Sequence, residues 1–391
     1  MLRPHSRRAL VHTLASLGLV TALAMPTIGV ADHDRVPDPA PLQTHNKLQS
    51  YAMLDKEAIT VSGLSSGGFF AHQFHVAYSK LVNGAGIIAG GPYGCVENVP
   101  NPYWPWGRLD RASAAVVACT HYFGDRYFGL RPSAPTAGDL MEFTKKARRD
   151  GVIDELENLS DDRVWLLHGR MDSVVPAEIV RLVQDLYRAL GVGASALRLE
   201  EEQANHGLPV ATFPQDSRFA KIACGEHKPP FIIECGYDAA ERLLRQLYGD
   251  TFNGTPVDAH DNGTLIAFDQ TEFFDPANAR VSLSGVGYAY VPTRCLSEGC
   301  RLHVAFHGCR QNADSRNEDR VHDDFIRDAG YNRWAAANNT VVLYPQTTAS
   351  ALNPNACWDF WGYTGLDYYG QKGSQMAAVK AMVDRVLGRS N

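Results

Sequence analysis

The residues best placed to do chemistry are Gly63-Leu64-Ser65-Ser66-Gly67-Gly68. They fall between a short β-type run, Ala58–Ser62, and a helical run, Phe69–Leu81. A serine with glycines two residues before and after it, at a strand-to-helix turn, is held out of the helix with its hydroxyl exposed. Glycine is needed there because the turn is tight and neighbouring elements pass close by. A serine hydroxyl is a weak nucleophile and needs an adjacent base. Ser66 is the second candidate, but the residue two before it is Leu64, so Ser65 is preferred. A chance match is the plainer reading of the five-residue pattern alone; the strand and helix around it favour a nucleophile.

The partners of such a serine are an acid and a histidine, each in a loop after a later strand. Val164–His168 is a strand candidate, and Gly169-Arg170-Met171-Asp172 follows it, with a helix over Ala177–Leu190 beyond. Asn205-His206-Gly207 follows the next strand candidate, Ala196–Glu200. Ser65, Asp172 and His206 thus stand in the order nucleophile, acid, base, which is the α/β-hydrolase order. His206 would take the Ser65 proton, and Asp172 would fix the imidazole tautomer and stabilise the imidazolium. His121, His168 and His307 are rival histidines. His168 ends a strand and reads as structural, whereas His121 stays open.

Strand and helix candidates alternate along the rest of the chain. Ala85–Ala89, Arg301–Phe306 and Thr340–Tyr344 are further strands, Asp323–Ala337 is helical, and Ser374–Leu387 is an amphipathic helix. This pattern predicts a mostly parallel sheet with helices on both faces. Residues 250–290 are aromatic, polar and β-leaning, and read as an insertion. An oxyanion hole needs one N–H from the residue after the nucleophile, here Ser66, and one from a loop after an earlier strand. Residues 32–64 are too few to hold that earlier strand with its companions. Arg301–Phe306 followed by His307-Gly308-Cys309 looks like the missing strand and loop, moved to the C-terminal side. Joining Leu387 to Ala58 would restore the standard order, so a circular permutation is expected. His307-Gly308-Cys309 could otherwise be a plain strand-ending turn.

These segments together resemble the poly(3-hydroxybutyrate) depolymerase family, in its circularly permuted α/β-hydrolase form. The likeness covers most of residues 50–391. It rests on Gly63-Leu64-Ser65-Ser66-Gly67, His168-Gly169-Arg170-Met171-Asp172, Asn205-His206-Gly207, Phe306-His307-Gly308-Cys309 and Cys357-Trp358-Asp359-Phe360-Trp361-Gly362-Tyr363. The resemblance implies a serine esterase acting on 3-hydroxybutyrate polyester through an acyl-enzyme. It implies Ser65 as nucleophile, Asp172 as acid, His206 as base, and the backbone amides of Ser66 and Cys309 as oxyanion donors. It also implies a Cys309–Cys357 bridge. Trp358 and Trp361 are expected to line an apolar acyl-chain groove, with Tyr103, Trp104 and Trp106 as a further rim. No linker or polymer-binding module follows the last helix, which departs from members that attack crystalline polymer and points to amorphous or soluble polyester.

Composition frames this reading. The chain has 391 residues, is 45% hydrophobic and 20% charged, and carries a net charge of -6. Such a chain is globular, and the mild acidity argues against a nucleic-acid partner. Arg3, Arg7 and Arg8 precede an apolar stretch to Val30, and Gly29-Val30-Ala31 supplies small residues for cleavage after Ala31. An uncleaved anchor is the rival, weakened by His12, Thr13 and Pro26. Ser6-Arg7-Arg8 also weakly resembles a twin-arginine signal. Residues 1–31 are therefore read as a signal peptide, 32–50 as a leader and 51–391 as one catalytic domain. Eight cysteines in an exported chain suit disulfides, and local spacing suggests Cys224–Cys235 and Cys295–Cys300. Cys95–Cys119 and Cys309–Cys357 would then remain. The expected protein is a periplasmic or secreted monomer that needs no metal or organic cofactor and has no lasting membrane insertion. The competing readings are an esterase of plant cell-wall feruloyl or acetyl groups, and a catalytically dead binding protein.

Overall fold

The computed structural model describes residues 46–51, 53–97, 99–100, 108–121, 133–213, 217, 221–313 and 321–389. The signal peptide, most of the leader and the loop with Tyr103, Trp104 and Trp106 lie outside them. In chain order the elements are β1 (Leu54–Leu64), α1 (Ser66–Ala77), β2 (Gly84–Ile88), α2 (Arg111–Val117), α3 (Ala137–Arg149), β3 (Arg163–Gly169), α4 (Ala177–Ala189) and β4 (Leu197–Glu202). Then come β5 (Leu208–Val210), β6 (Ile232–Glu234), α5 (Ala239–Tyr248), α6 (Ala259–Asn262), β7 (Gly263–Asp269), β8 (Val286–Pro292) and β9 (Cys300–Phe306). The last are α7 (Asp324–Asp328), α8 (Tyr331–Ala337), β10 (Thr340–Tyr344) and α9 (Ser374–Val386).

Eight strands form one sheet in the order β4-β3-β2-β1-β9-β10-β8-β7, and β5 and β6 make a separate parallel pair. Only β8 runs against its neighbours. Counting from β7 through β10 and on through β1 to β4, the sheet reads 1-2-4-3-5-6-7-8. The sheet is that of an α/β-hydrolase whose chain has been circularly permuted. β1 lies directly beside β9, with Val61 opposite Val304 and Gly63 opposite Phe306. The two places a permutation must join are adjacent: the Tyr51 N–H donates to Val386 O at 2.9 Å, and the Arg389 guanidinium donates to Lys56 O.

Alternation along the strands explains why both faces are covered. Val164, Leu166, Leu302, Val304, Val341 and Leu343 pack with α1, α4 and α9 in one core. Trp165, Leu167, Ala305, Val342 and Tyr344, from the same strands, pack with α5 and α8 in a second core. A strand sends successive side chains to opposite faces, so a sheet buried on both reads as a near-continuous apolar run. α4 shows the matching helical spacing, with Ile179, Val180, Val183, Leu186 and Tyr187 buried. α1 is buried over its whole length, and its Phe70 and Phe74 rings meet Phe306 of β9. Truncating either ring to alanine would cost about 3–5 kcal/mol.

Two expectations are corrected. Residues 250–290 are no insertion: they supply β7 and β8, which complete the sheet. β7 is an edge strand with mixed exposure, so its sequence lacks the apolar run of the central strands. The single helix expected over 323–337 is two, α7 and α8, because Gly330 turns left-handed between them at φ 84.

Four disulfides form: Cys95–Cys119, Cys224–Cys235, Cys295–Cys300 and Cys309–Cys357. Such bridges persist in oxidising compartments. Among the described residues no helix is long and apolar enough to cross a membrane.

The core also holds neutral histidines. His303 lies between the hydroxyls of Thr60 (2.8 Å) and Ser62 (2.7 Å), which in turn meet Tyr248 and Tyr331. Burial pushes His72 and His303 down to about 3 and His307 to about 4. An unfolded chain protonates these groups near pH 6.5. The folded chain does not until far lower pH, so it gains nothing from those protons. Stability is then full above that value and falls as pH drops towards 4, by up to about 1.4 kcal/mol per pH unit per histidine. Urea midpoints should therefore fall steadily from pH 7 to pH 4.5, and a flat profile would contradict neutral burial. The permuted ends give a second expectation. Linking Arg389 to Tyr51 by a short Gly/Ser bridge, and opening the chain at exposed Gly254, should yield a folded protein with the same far-UV spectrum. An aggregated or unfolded product would count against the adjacency of those ends.

Candidate active site

Four strand ends meet along the carboxyl edge of the sheet, where open α/β sheets bind ligands. β1 leads to Ser65, β3 leads to Asp172, β4 leads to His206, and β9 leads to Gly308 and Cys309. Ser65 has φ 56 and ψ -123, a conformation that a non-glycine residue holds only where its surroundings force it. Its N–H donates to Ile88 O at 2.9 Å. The forcing comes from close backbone approach. A Cβ at Gly63 would lie 2.2 Å from Gly67 O, and one at Gly67 would lie 2.4 Å from the carbonyl oxygens of Phe306 and His307. Nothing larger than glycine fits at either place, so α1 starts pressed against the end of β9. Ser65 is partly exposed while Ser66 is buried.

Asp172 and His206 meet because β3 and β4 are parallel neighbours whose pairing continues into their loops. Arg170 N donates to Glu202 O at 2.7 Å and Met171 N to Ala204 O at 3.0 Å. The Asp172 carboxylate accepts from His206 Nδ1 at 2.9 and 3.0 Å. Its Oδ1 also accepts the Val174 and Val175 N–H groups at 2.8 and 2.9 Å. Burial alone would raise this carboxyl. The charge of a protonated His206, that hydrogen bond and the two backbone donors outweigh it, and the net effect is a lowered pKa. With Nδ1 committed to Asp172, Nε2 is the ring nitrogen free to exchange a proton. Asn205 steadies the loop: its N–H reaches Cys224 O, its amide reaches Gly225 O, and its Oδ1 accepts the His206 N–H. The Cys224–Cys235 bridge anchors that segment. The hydrogen bonds of the His206 ring run through Nδ1 to Asp172 and not to Ser65.

The two oxyanion candidates are the N–H groups of Ser66 and Cys309. Ser66 is the first residue of α1, and its N–H has no acceptor among the described residues; nor does that of Cys309. The Cys309–Cys357 bridge ties the loop after β9 to the tryptophan segment. The Trp358 N–H then reaches Ser66 Oγ at 3.3 Å. Asp359 orders that segment, accepting the N–H groups of Trp361, Gly362, Tyr363 and Thr364.

Trp358 does not line a groove. It is fully buried against Phe70, Phe306 and His307, because its own N–H is held by Ser66 Oγ and the N–H of Asp359 after it by Gln375 Oε1. Trp361 is partly exposed, against Phe360 and Tyr363. Of the rival histidines, His168 is buried at the end of β3, His307 is locked to Gly308 O at 2.7 Å, and the His121 N–H donates to Val174 O; the Asp172 carboxylate takes none of the three. Sequence reasoning missed His227, whose ring stands edge-on to His206 at 5.4 Å, and Gln311, described below. Burial, with the nearby His206 charge, holds His227 at about 4. Neither lies in a motif, so no local signal marked them.

No family model matches the chain. It is 36% identical over 337 residues to the poly(3-hydroxybutyrate) depolymerase of Delftia acidovorans, which covers 85% of this chain and 60% of that protein. It is 31% identical over 353 residues to the polyhydroxybutyrate depolymerase of Talaromyces funiculosus, covering 85% of this chain and 91% of that one. The chain thus spans about three fifths of the bacterial relative and nearly all of the fungal one. Among solved structures it resembles the PHB depolymerase from Penicillium funiculosum, with a TM-score of 0.71 and 27% identity over 88% of this chain and 99% of that chain. A PHB depolymerase with a serine-to-alanine change, complexed with an R3HB trimer, matches over the same shares at a TM-score of 0.70 and 27% identity. By sequence and by fold, the chain belongs to the polyhydroxybutyrate depolymerase family.

Proposed function

We propose that this protein is a serine esterase that hydrolyses 3-hydroxybutyrate polyester and its oligomers. The observation that carries this is one edge of the sheet: a strained Ser65, the Asp172–His206 pair, and two backbone N–H groups, at Ser66 and Cys309, without an acceptor among the described residues. Family membership narrows the ester, and a relative has been captured with an R3HB trimer.

In this reading Ser65 Oγ attacks the ester carbonyl carbon and His206 Nε2 takes its proton. The carbonyl oxygen becomes an oxyanion held by the Ser66 and Cys309 N–H groups, each worth about 3–4 kcal/mol of barrier. The C–O bond to the next unit breaks, and His206 returns the proton to the departing alkoxide. Water then attacks the acyl-enzyme by the same route and releases the acid. Asp172 stays ionised throughout and stabilises the imidazolium. Trp361 offers an aromatic wall for methyl and methylene groups of the polymer. The protein acts outside the cytoplasm, in the periplasm or beyond the cell, as a monomer.

Ser65→Ala should abolish turnover of a soluble 3-hydroxybutyrate oligomer while leaving the unfolding transition in place. Asp172→Asn should lower kcat by about 10⁴-fold, since the imidazole tautomer is no longer held. Normal turnover by the alanine variant would sink the assignment. The substrate class has its own test. The protein should clear a suspension of amorphous polyhydroxybutyrate and release little ferulate from a feruloyl ester. The reverse pattern would make it a plant cell-wall esterase.

A further inference from the structure

The proposed oxyanion loop hinges on a glycine. Gly308 lies against Ser65, with a built Cβ 3.4 Å from the Ser65 Cβ, and the peptide that follows it carries the Cys309 N–H. A glycine has no side chain to limit its backbone, so something else must fix the direction of that N–H. The buried Gln311 does so at three points. Its Oε1 accepts the Gly308 N–H at 2.7 Å, and its own N–H donates to Gly308 O at 3.3 Å. Its Nε2 donates to Pro230 O at 2.8 Å. These partners also fix which way the amide faces, since an N–H needs Oε1 and a carbonyl needs Nε2. His307 adds a second donor to Gly308 O through Nδ1, while its Nε2 accepts the Thr347 N–H. Gly308 O and the Cys309 N–H belong to one planar peptide, so holding the carbonyl aims the N–H the opposite way.

We propose that Gln311 is a positioning residue for catalysis, which holds Gly308 so that the Cys309 N–H points at the oxygen of the carbonyl that Ser65 attacks. The proposal rests on the esterase reading above. Gln311 also joins two halves of the site. Pro230 precedes Phe231, whose carbonyl accepts the Leu208 N–H just beyond His206 and whose ring meets His227. One amide therefore sets the oxyanion loop in register with the histidine loop. The interaction matters most when the oxygen carries charge, so its loss should appear in kcat rather than in KM.

The test uses the whole chain and a soluble 3-hydroxybutyrate oligomer. Gln311→Met keeps the volume and removes both polar ends, whereas Gln311→Glu keeps an acceptor for the Gly308 N–H. The methionine variant should lose about 10–100-fold in kcat with KM within about twofold. Its affinity for a trifluoromethyl ketone, which adds to serine as a charged tetrahedral adduct, should weaken by the same factor. Binding of an unreactive amide analogue should not change, and the glutamate variant should retain more kcat than the methionine one. If the methionine variant does not fold, the glutamate variant alone decides: it too should lose kcat and inhibitor affinity together. Unchanged kcat, or a loss in which inhibitor affinity holds and KM rises, would overturn the proposal while an inert Ser65→Ala left the esterase reading standing. Turnover by Ser65→Ala would bring down both.

Discussion

Everything at this edge of the sheet depends on how closely two backbones approach. The first turn of α1 is pressed against the end of β9, with no room for even a methyl group at Gly67. That contact forces Ser65 into its left-handed turn, sets Ser66 at the head of the helix, and brings Gly308 against the serine. A wider gap would relax Ser65, and it would also separate the two N–H groups that the proposed chemistry needs on one oxygen. The glycines at 63 and 67 therefore act through what they leave empty. The cost of the strained serine is offset by packing elsewhere, and the buried rings of Phe70 and Phe74 on α1 meeting Phe306 on β9 hold the same two elements together.

The permutation shows which parts of chain order matter to this geometry. β1 and β9 are separated by most of the sequence, yet they are the paired strands that lead to Ser65 and to the loop with Gly308 and Cys309. The sheet fixes their spacing by hydrogen bonds between neighbours, which do not depend on how the chain reaches them. What the permutation changes is where the ends lie. Tyr51 and Val386 are bonded just before β1, with that whole strand between them and Ser65, so the old connection could be cut without disturbing the carboxyl edge. The Cys309–Cys357 bridge closes the loop after β9 onto the tryptophan segment, which among the described residues lies in no strand of the sheet.

Much of this was legible in the sequence, and the reason differs from residue to residue. Ser65 and Asp172 follow strands whose apolar runs are plain, and His206 follows a shorter alternating one, Leu197-Arg198-Leu199, so their places after strand ends could be read from spacing. The shuffled strand was legible because a missing part and a spare part matched. Trp358 was not, since an aromatic residue in a loop motif reads alike whether it faces a groove or the core. Only the bonds at Ser66 and Asp359 decide that it turns inward. β7 and β8 were misread as an insertion because β7, at the sheet edge, lacks the doubly buried pattern and β8 pairs only antiparallel. Gln311 reaches Pro230, 81 positions away in the chain, and no local pattern encodes such a contact.

Asp172 and Asp359 show how far burial alone falls short of setting chemistry. Both are nearly excluded from water, and both accept several backbone N–H groups. For Asp359 burial wins, and its carboxyl is raised in spite of the Thr364, Gly362 and Trp361 donors. For Asp172 the same burial is outweighed, because one of its partners can carry a positive charge. Neutral donors suffice to order a loop, which is what Asp359 does. Only the pairing with an ionisable ring makes a carboxylate respond to a proton moving elsewhere in the site. A residue in the Asp172 position can therefore stabilise charge that appears on His206 during a reaction. One in the Asp359 position can hold only a shape.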